Sequence, residues 1–392
     1  MNIDFNKYNH GSGYVIKVLF PRNEKLKIET IVHGKAQVLP NIKAMTSDYF
    51  FDIASLTKFY TAIIVHKTIE KGLLKLEDAI KSIDDRFVDI GSLTVGDLLS
   101  HKQEIWTDGY LGIAKNKEEF CKMLFNSKIK NNNRTYVDAH YIILSFILEK
   151  VYNKPFAEIV NQEIIKPLGL KNTTFNCLTT DKVVSNNFEM IDGKVVDFIT
   201  PGTVHDTKAR TAKKLGISVG HAGIFTTATD LIKLLASLID DEYVLLSKEA
   251  ISRMLDHDDA TIDIYSGMKK YAKDKNISIS DNYIDINEIY DDLAKKVDKN
   301  ELLSKIIRPY NYCGTRYKNP INAKNEIPET ATANSIIFSG YTGPIFFIDF
   351  ERKIIILVMT NVCHNSSKSR SDRYDMSKNM INDIYNQLLP KN

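Results

Sequence analysis

The stretch Phe51-Asp52-Ile53-Ala54-Ser55-Leu56-Thr57-Lys58 sets a serine and a lysine three residues apart, where a run of helix-spaced apolar residues begins. Those apolar residues are Phe59, Tyr60, Ile63, Ile64, Val65 and Ile69. With Gly72 as a stop signal, they predict a buried helix over about residues 55–71. Positions i and i+3 lie on one helical face, and a helix N-terminus favours negative charge on the serine oxygen. The stretch therefore predicts a nucleophile, Ser55, and a proton acceptor, Lys58, on a single turn.

A Ser-x-x-Lys pair is weak evidence alone, because most such pairs are a helix cap followed by a solvated charge. Here the flanking residues match as well. Segment 51–58 resembles the nucleophile segment Phe-Asp-x-Ala-Ser-x-Thr-Lys of the serine β-lactamase-like hydrolases, in particular the branch of class C β-lactamases, penicillin-binding proteins and esterases. The likeness extends over most of 10–385 and weakens between about 250 and 330.

Further matches follow in the order of that family's motifs. Tyr136-Val137-Asp138 resembles the second motif, Tyr-x-Asn. Val204-His205-Asp206 and Gly220-His221-Ala222-Gly223 are similar to the Val-His-Asp and Gly-His-Ala-Gly signatures of esterase-like members. Phe338-Ser339-Gly340 stands where the family has His-Thr-Gly or Lys-Thr-Gly on a strand, and Tyr341-Thr342-Gly343 offers a rival register. We prefer the first register because its distance to Asp349 agrees with the family pattern.

The order of predicted elements indicates the fold class. Two short segments joined by a polar turn predict strands at 14–20 and 27–32, and strands return at 335–349 and 352–361 before a helix over about 371–389. Strands from both ends with a helical middle predict an antiparallel sheet flanked by helices, an α/β/α sandwich, with a mostly helical second lobe. We expect one catalytic domain over 1–392. Its sheet lobe would cover about 10–55 and 335–392, and its helical lobe and inserts about 56–334, with the site in the cleft.

Composition excludes several classes of partner. The 392 residues are 43% hydrophobic, enough for a large core, and 52 basic against 49 acidic residues give a net charge of +3, which argues against a nucleic-acid partner. The four cysteines, Cys121, Cys177, Cys313 and Cys363, have no metal-ligand spacing. We interpret them as reduced thiols and expect neither metal nor cofactor. The N-terminus lacks a secretory signal pattern and no run of about 18 apolar residues occurs, so we expect a cytoplasmic protein without a membrane span.

The resemblance implies a mechanism. Ser55 would attack a carbonyl carbon and form an acyl-enzyme that water then hydrolyses. Lys58 and the Tyr136 phenol would move the serine proton, one as general base and the other tuning its pKa. The backbone N–H groups of Ser55 and Tyr341 would form the oxyanion hole. Gly340 fits beside them, since we expect the substrate to approach that strand too closely for a side chain.

Two departures from the family pattern bear on the substrate. Asp138 replaces the usual asparagine, and a carboxylate there would hold Lys58 protonated. Phe338 replaces the usual cation, so that a substrate carboxylate would lack its common partner. Both changes disfavour anionic substrates. The expected substrate-binding residues are Asp138, Phe338, Ser339, Gly340, His205 and His221.

Two histidines allow two interpretations. Either could line the cleft and contact substrate. Alternatively, His205 bonds Asp206 or a backbone carbonyl, and His221 fixes a glycine-rich turn. No acidic residue is spaced to indicate a Ser-His-Asp triad, and no His-x-x-x-His cluster indicates a metal.

Three functional classes remain open from the sequence. The first is a serine hydrolase that cleaves carboxylic esters of neutral or amine-bearing substrates through Ser55. The second is a penicillin-recognising β-lactamase or D,D-peptidase. The third is a catalytically degenerate binding protein of the same fold. In each case the expected partner is a small ester, amide or β-lactam-like molecule.

Overall fold

The computed structural model describes the following parts of the chain: 1–23, 25–176, 178–191, 194–242, 244–258, 261–279, 286–298, 301–302, 309–318, 326–364 and 370–389. Three cysteines within these ranges, Cys121, Cys313 and Cys363, are free thiols. Cys177 lies outside the described residues. None of the helices in the described ranges is long and apolar enough to cross a membrane.

The described strands, in chain order, are β1 (Gly13–Arg22), β2 (Lys25–Gln37), β3 (Lys43–Ala44), β4 (Phe50–Asp52), β5 (Glu104–Trp106), β6 (Lys128–Asn131), β7 (Thr173–Thr174), β8 (Asn187–Ile191), β9 (Lys194–Ile199), β10 (Phe225–Thr227), β11 (Arg316–Tyr317), β12 (Ser335–Ser339), β13 (Ile345–Asp349) and β14 (Ile354–Thr360). The described helices are α1 (Thr57–Glu70), α2 (Ile80–Ile83), α3 (Val95–Leu99), α4 (Lys117–Phe125), α5 (Ala139–Tyr152), α6 (Phe156–Val160), α7 (Lys166–Leu168), α8 (Thr207–Lys214), α9 (Ala228–Ala236), α10 (Lys248–Leu255), α11 (Thr261–Asp274), α12 (Ile286–Lys296) and α13 (Arg370–Leu388). Short 3₁₀ turns cover Ala54–Leu56 and Leu111–Ile113, and a π-turn covers Asn161–Ile165.

Strands from both ends of the chain form the main sheet, whose described order is β11-β12-β13-β14-β1-β2-β3. Every pairing in it is antiparallel. A smaller antiparallel sheet, β4-β10-β7, carries the residues just before Ser55. The predicted antiparallel sheet flanked by helices is therefore confirmed.

Alternation along the central strands divides the core into two layers. Ile337, Phe347 and Ile356 face one side, where they pack against α13. Phe346 and Leu357 face the other side, where they pack against α1 and the rest of the helical part. The central strands are apolar on both faces, so helices cover both sides of the sheet and form an α/β/α sandwich.

Two local predictions need correction. The helix expected over 55–71 begins as the 3₁₀ turn Ala54–Leu56, and its α-helical part starts at Thr57. The run expected as one strand over 335–349 is two strands, β12 and β13. The backbone turns back between them, with Gly343 at a φ of +129° and the Gly340 N–H donating to the Pro344 carbonyl at 2.7 Å. A glycine adopts that positive φ without strain, which the strand pattern alone did not reveal.

The least family-like segment, 257–334, is described only in part. Within it, α11 and α12 pack on each other around a small core of their own: Ile264, Met268, Tyr271, Ala272, Ile289, Tyr290, Leu293 and Leu302. Farther along, Tyr310 and Arg316 reach the cavity beside Ser55. The described part of this segment therefore contributes to the wall of that cavity.

Candidate active site

Ser55 lies in the 3₁₀ turn that connects β4 to α1. Ala54, just before it, has a φ of +44°, an unfavourable conformation for a residue with a side chain. The buried Asp52 carboxylate stabilises this turn, because it accepts the Ala54 N–H at 2.9 Å and the His205 N–H at 2.7 Å. The Asp52 carbonyl also accepts the Thr342 hydroxyl at 2.6 Å. Asp52 thereby joins three segments of the site, and burial raises the pKa of its carboxyl to about 6.

Lys58 lies in the first turn of α1 and is fully buried. Its ammonium Nζ lies 3.2 Å from Ser55 Oγ and 2.8 Å from Asp138 Oδ1. It also lies 4.7 Å from the centre of the Tyr136 ring and donates to the His221 carbonyl at 3.4 Å. The structure therefore brings Ser55, Lys58, Tyr136 and Asp138 together around one ammonium group.

Tyr136 and Asp138 lie in the loop that leads into α5. Neighbouring aromatic rings fix the position of this loop. The His101 ring lies 4.6 Å from the Tyr136 ring, centre to centre, and the Tyr310 ring lies 5.6 Å from it. His101 is itself buried against His140, with 3.0 Å between their Nδ1 atoms. The His101 carbonyl accepts the Thr135 N–H at 3.1 Å, which holds the loop against the same support.

Electrostatics keep Lys58 charged. Burial alone would lower the pKa of its ammonium, but the Asp138 carboxylate and the Tyr136 phenol outweigh burial and hold that pKa above its usual value. Burial would likewise raise the pKa of the Asp138 carboxyl, yet Lys58 and then His221 hold it well below its usual range. For Tyr136 burial prevails, and its pKa is raised even though Lys58 acts to lower it. The resting site thus contains an ammonium, a carboxylate and a neutral phenol.

A second cation lies beside this group. The Lys208 ammonium lies 3.0 Å from Asp138 Oδ2 and 3.1 Å from Asp206 Oδ2. Asp206 Oδ1 lies 2.9 Å from His221 Nε2. Burial would lower the pKa of Lys208, but the two carboxylates raise it. The sequence did not predict Lys208 and Asp206 as site residues, although Asp206 ends the motif Val204-His205-Asp206 and Lys208 follows it by two residues.

Possible metal-ligating atoms of Asp138, Asp206 and His221 lie within 4.8 Å of one another. The ammonium of Lys208 bridges the two carboxylates, and Lys58 binds one of them as well. With two ammonium groups already balancing two carboxylates, this donor set offers little attraction to a further cation.

The two histidines have different surroundings. His221 Nε2 bonds Asp206, and the remaining His221 nitrogen, Nδ1, is buried with no hydrogen-bond partner in the described residues. His205 packs its ring against Tyr341, with 5.3 Å between ring centres, at the wall of the larger cavity. The sequence did not reveal the His221–Asp206 pair because its members are brought together by loops, 15 residues apart.

The third motif borders the cavity beside Ser55, where Phe338 and Gly340 form part of the wall. Phe338 packs its ring toward Phe346, 6.3 Å between centres, and only 6% of it is exposed. At Gly340 a Cβ atom would lie 2.4 Å from the Ile53 carbonyl oxygen. This close contact with the Ile53 backbone, next to the turn that carries Ser55, requires a glycine whether or not substrate is bound. The sequence-based reason, a close approach of substrate to the strand, is corrected accordingly. Ser339 and Tyr341 line the cavity beside Ser55.

Two cavities meet at Ser55, and Tyr136 and Tyr341 line both. The smaller cavity, about 390 Å³, contains Arg316 and Arg373. The larger, about 920 Å³, contains the Asp138–Lys208–Asp206 group and His205. The sequence predicted no cation here, because Phe338 occupies the position of the family's usual cation. The smaller cavity nevertheless holds two cations, which come from β11 and α13.

Both arginines are anchored. Arg316 is ion-paired with the buried Glu326, and Arg373 Nη1 donates to the Val362 carbonyl at 2.7 Å. No local motif identified them, because Arg316 comes from the segment where the likeness to the family is weakest and Arg373 lies outside the matched motifs. Their proximity arises only when β11 lies beside β12 and α13 packs on the sheet.

Comparison with known proteins agrees with this architecture. A protein of Escherichia coli O157:H7 described as "Putative D-alanyl-D-alanine carboxypeptidase" is 28% identical over 240 residues, covering 53% of this chain and 54% of that protein. N-acetylmuramyl-L-alanine amidase of Bacillus subtilis (strain 168) is 27% identical over 262 residues, covering 59% of this chain and 57% of that protein. The chain thus spans about half the length of the curated relatives it matches.

Among solved structures, EstCE1, a hydrolase with promiscuous acyltransferase activity, superposes with a TM-score of 0.67 at 16% identity, covering 96% of this chain and 95% of that one. At this identity the likeness shows the fold alone. The family model described as "Beta-lactamase" matches residues 29–378, most of the chain. The chain therefore belongs to the β-lactamase family.

Proposed function

We propose that this protein is a serine hydrolase that forms an acyl-enzyme through Ser55 and cleaves small carboxylic esters. One observation carries the proposal: the buried Lys58 ammonium contacts the Ser55 hydroxyl, the Asp138 carboxylate and the Tyr136 ring at the meeting point of two cavities. A hydroxyl held in this way has a fixed direction and room for a carbonyl carbon on its open side. The hydrolase names of the relatives and the EstCE1 fold support it.

In the proposed mechanism Tyr136 is the base. Lys58 is held charged by Asp138, so it has no lone pair with which to accept the serine proton. The phenolate of Tyr136, which Lys58 favours against burial, would accept it while Ser55 attacks. Tyr136 would then return that proton to the departing alcohol. Backbone N–H groups of Ser55 and Tyr341 are proposed to stabilise the negative oxygen of the tetrahedral intermediate.

An ester is favoured over an amide by the same charge distribution. An alcohol leaves more readily than an amine, which must be protonated as it departs. The phenolate of Tyr136 is a minor species at neutral pH, so the site supplies limited driving force for the cleavage. Neutral acyl groups also suit a site in which Asp138 and Asp206 are already paired with Lys58 and Lys208.

The pH dependence of acylation tests the role of Tyr136. Because its pKa lies above the ordinary value of about 10, the phenolate fraction rises tenfold per pH unit through neutral pH. We expect kcat/KM for p-nitrophenyl butyrate to rise with a slope near one between pH 7 and 9. Tyr136→Phe should lower it about 10²–10⁴-fold and remove the slope. A Ser55→Ala sample gives the background at each pH, and a flat wild-type profile would exclude Tyr136 as the base.

A second candidate function is supported by the smaller cavity. Arg316 and Arg373 beside Ser55 would suit a substrate with a carboxylate, as in a D,D-peptidase or a penicillin-recognising enzyme. Arg316 is largely neutralised by Glu326, which weakens its attraction for an anion. We therefore rank this function below ester hydrolysis.

A labelling comparison separates the candidates. We expect wild type to hydrolyse p-nitrophenyl acetate and butyrate and to leave nitrocefin and benzylpenicillin essentially unreacted over the same period. Intact-mass spectrometry should show acylation by the esters that is absent in Ser55→Ala. Covalent penicillin on Ser55, reduced at least tenfold by Arg373→Met, would favour the second candidate. Labelling by neither reagent would indicate a binding protein without catalysis.

A further inference from the structure

The exposed aromatic side chains of the described chain are gathered in one place. Among its large exposed hydrophobic residues three are aromatic: Trp106 at 55%, Tyr110 at 49% and Tyr341 at 43% exposure. All three line the larger cavity next to Ser55. Exposed aliphatic residues elsewhere are isolated, as at Leu73 and Val88, or lie along one face of β2, as Leu26, Ile28 and Val32 do. Scattered exposed apolar residues need no explanation, but a group of aromatic rings around one cavity indicates a binding surface.

Polar contacts hold these rings in place. Trp106 ends β5, its Nε1–H donates to Glu104 Oε1 at 2.8 Å, and the Lys130 ammonium lies 3.7 Å from the centre of its ring. The hydroxyl groups of Tyr110 and Thr207 are hydrogen-bonded to each other. Tyr341 packs against the His205 ring. Rings fixed in this way lose little freedom when a ligand contacts them, which favours binding.

The remaining walls of the cavity are apolar or internally paired. Ile105, Leu111 and Ile142 contribute aliphatic surface. The charges on its floor bind one another, since Lys208 lies between Asp138 and Asp206. A ligand ion would have to displace one of these partners, whereas an apolar ring would contact the aromatic walls without disturbing them. At about 920 Å³ the cavity is large enough for such a group.

We propose that the larger cavity is a subsite for an aromatic or other flat apolar acyl group, with Trp106, Tyr110 and Tyr341 as its walls. This inference rests on the proposed function, because it names the substrate class of the same site. It predicts that short aliphatic acyl groups are poor substrates relative to aryl-bearing ones.

Kinetics with matched esters test the subsite. Relative to p-nitrophenyl acetate, and after division by the rates with hydroxide, we expect p-nitrophenyl phenylacetate to have a kcat/KM at least tenfold higher. Trp106→Ala should lower this phenylacetate-to-acetate ratio about tenfold, and Trp106→Phe, which keeps a ring, should preserve most of it. Leu73→Ala, a residue of equal exposure beyond the far end of α1, should leave both rates unchanged. A wild-type ratio within twofold of one, or a ratio that Trp106→Ala does not change, would overturn the subsite.

Binding without chemistry separates this inference from the proposed function. Trp106 is the only tryptophan of the chain, so fluorescence in Ser55→Ala reports on the cavity alone. We expect a saturable change with 2-phenylacetamide and none with acetamide over the same range. A saturable change without ester turnover by wild type would refute the hydrolase and keep the subsite. Ester turnover with no saturable change would refute the subsite and keep the hydrolase.

Discussion

Ser55→Ala is expected to lower the turnover of p-nitrophenyl butyrate by about 10⁴-fold or more, since the proposed covalent intermediate cannot form without the hydroxyl. The hydroxyl is hydrogen-bonded to the Lys58 ammonium and to the Tyr136 phenol, and it does not cap α1. Its loss should therefore change the free energy of unfolding by only about 1 kcal/mol. Steady-state kinetics and urea unfolding measure the two effects separately.

The matched control is Ser145→Ala, because Ser145 is a fully buried serine of α5 that bonds only a carbonyl of its own helix. It should retain wild-type turnover within a factor of about two, since its hydroxyl lies outside the site. If Ser55→Ala keeps wild-type turnover, Ser55 is not the nucleophile and the proposed function is wrong.

Lys58→Met is expected to combine a large loss of rate with a large loss of stability. The apolar chain fills a similar volume, but the Ser55 hydroxyl and the Tyr136 phenol lose their ammonium partner, which should cost about 10²–10⁴ in the acylation rate. Asp138 would lose one of its two ammonium partners in a largely buried position. We expect the free energy of unfolding to fall by about 3 kcal/mol, the lower end for breaking a buried pair, because Lys208 remains.

A similar pair at the far end of the same helix provides the control. The buried Glu163 carboxylate lies 2.6 Å from Lys71 Nζ and 3.4 Å from Lys67 Nζ, an acid with two lysines like Asp138. Lys71→Met should lower stability while leaving kcat/KM unchanged. The double variant Lys58→Met/Asp138→Asn should regain stability but not activity, since it removes the carboxylate that lost its Lys58 partner and leaves the ammonium absent. Full activity in Lys58→Met would contradict the proposed role of Lys58.

The central residues of the site could be foreseen because their spacing encodes their geometry. Ser55 and Lys58 are one turn apart, so a helix brings them together, and a carboxylate at position 138 predicts a charged Lys58 from the sequence alone. The strands at both ends of the chain were likewise predicted from short segments of sequence, although 335–349 is two strands. These predictions depend on local periodicity, which the sequence contains in full.

Residues supplied by tertiary packing could not be foreseen. Arg316 and Arg373 reach the smaller cavity from β11 and from α13, and no pattern in either segment relates it to Ser55. Lys208 becomes part of the site because a loop brings α8 to the entrance of α5. Because position 338 has no cation, the sequence predicted a cavity without positive charge. Distant segments of the chain provide that charge through Arg316 and Arg373. Long-range contacts of this kind depend on the whole fold.

The hydrogen bonds of Asp52 connect the nucleophile turn with residues 153 and 290 positions farther along the chain. A peptide that contained 51–58 alone would carry the motif without the support for the strained backbone at Ala54. The proposed reactivity of the serine therefore requires that the two ends of the chain have met in one sheet and that the loops at 205 and 342 have closed on Asp52. Partly folded chains would be protected from premature acylation by the same dependence.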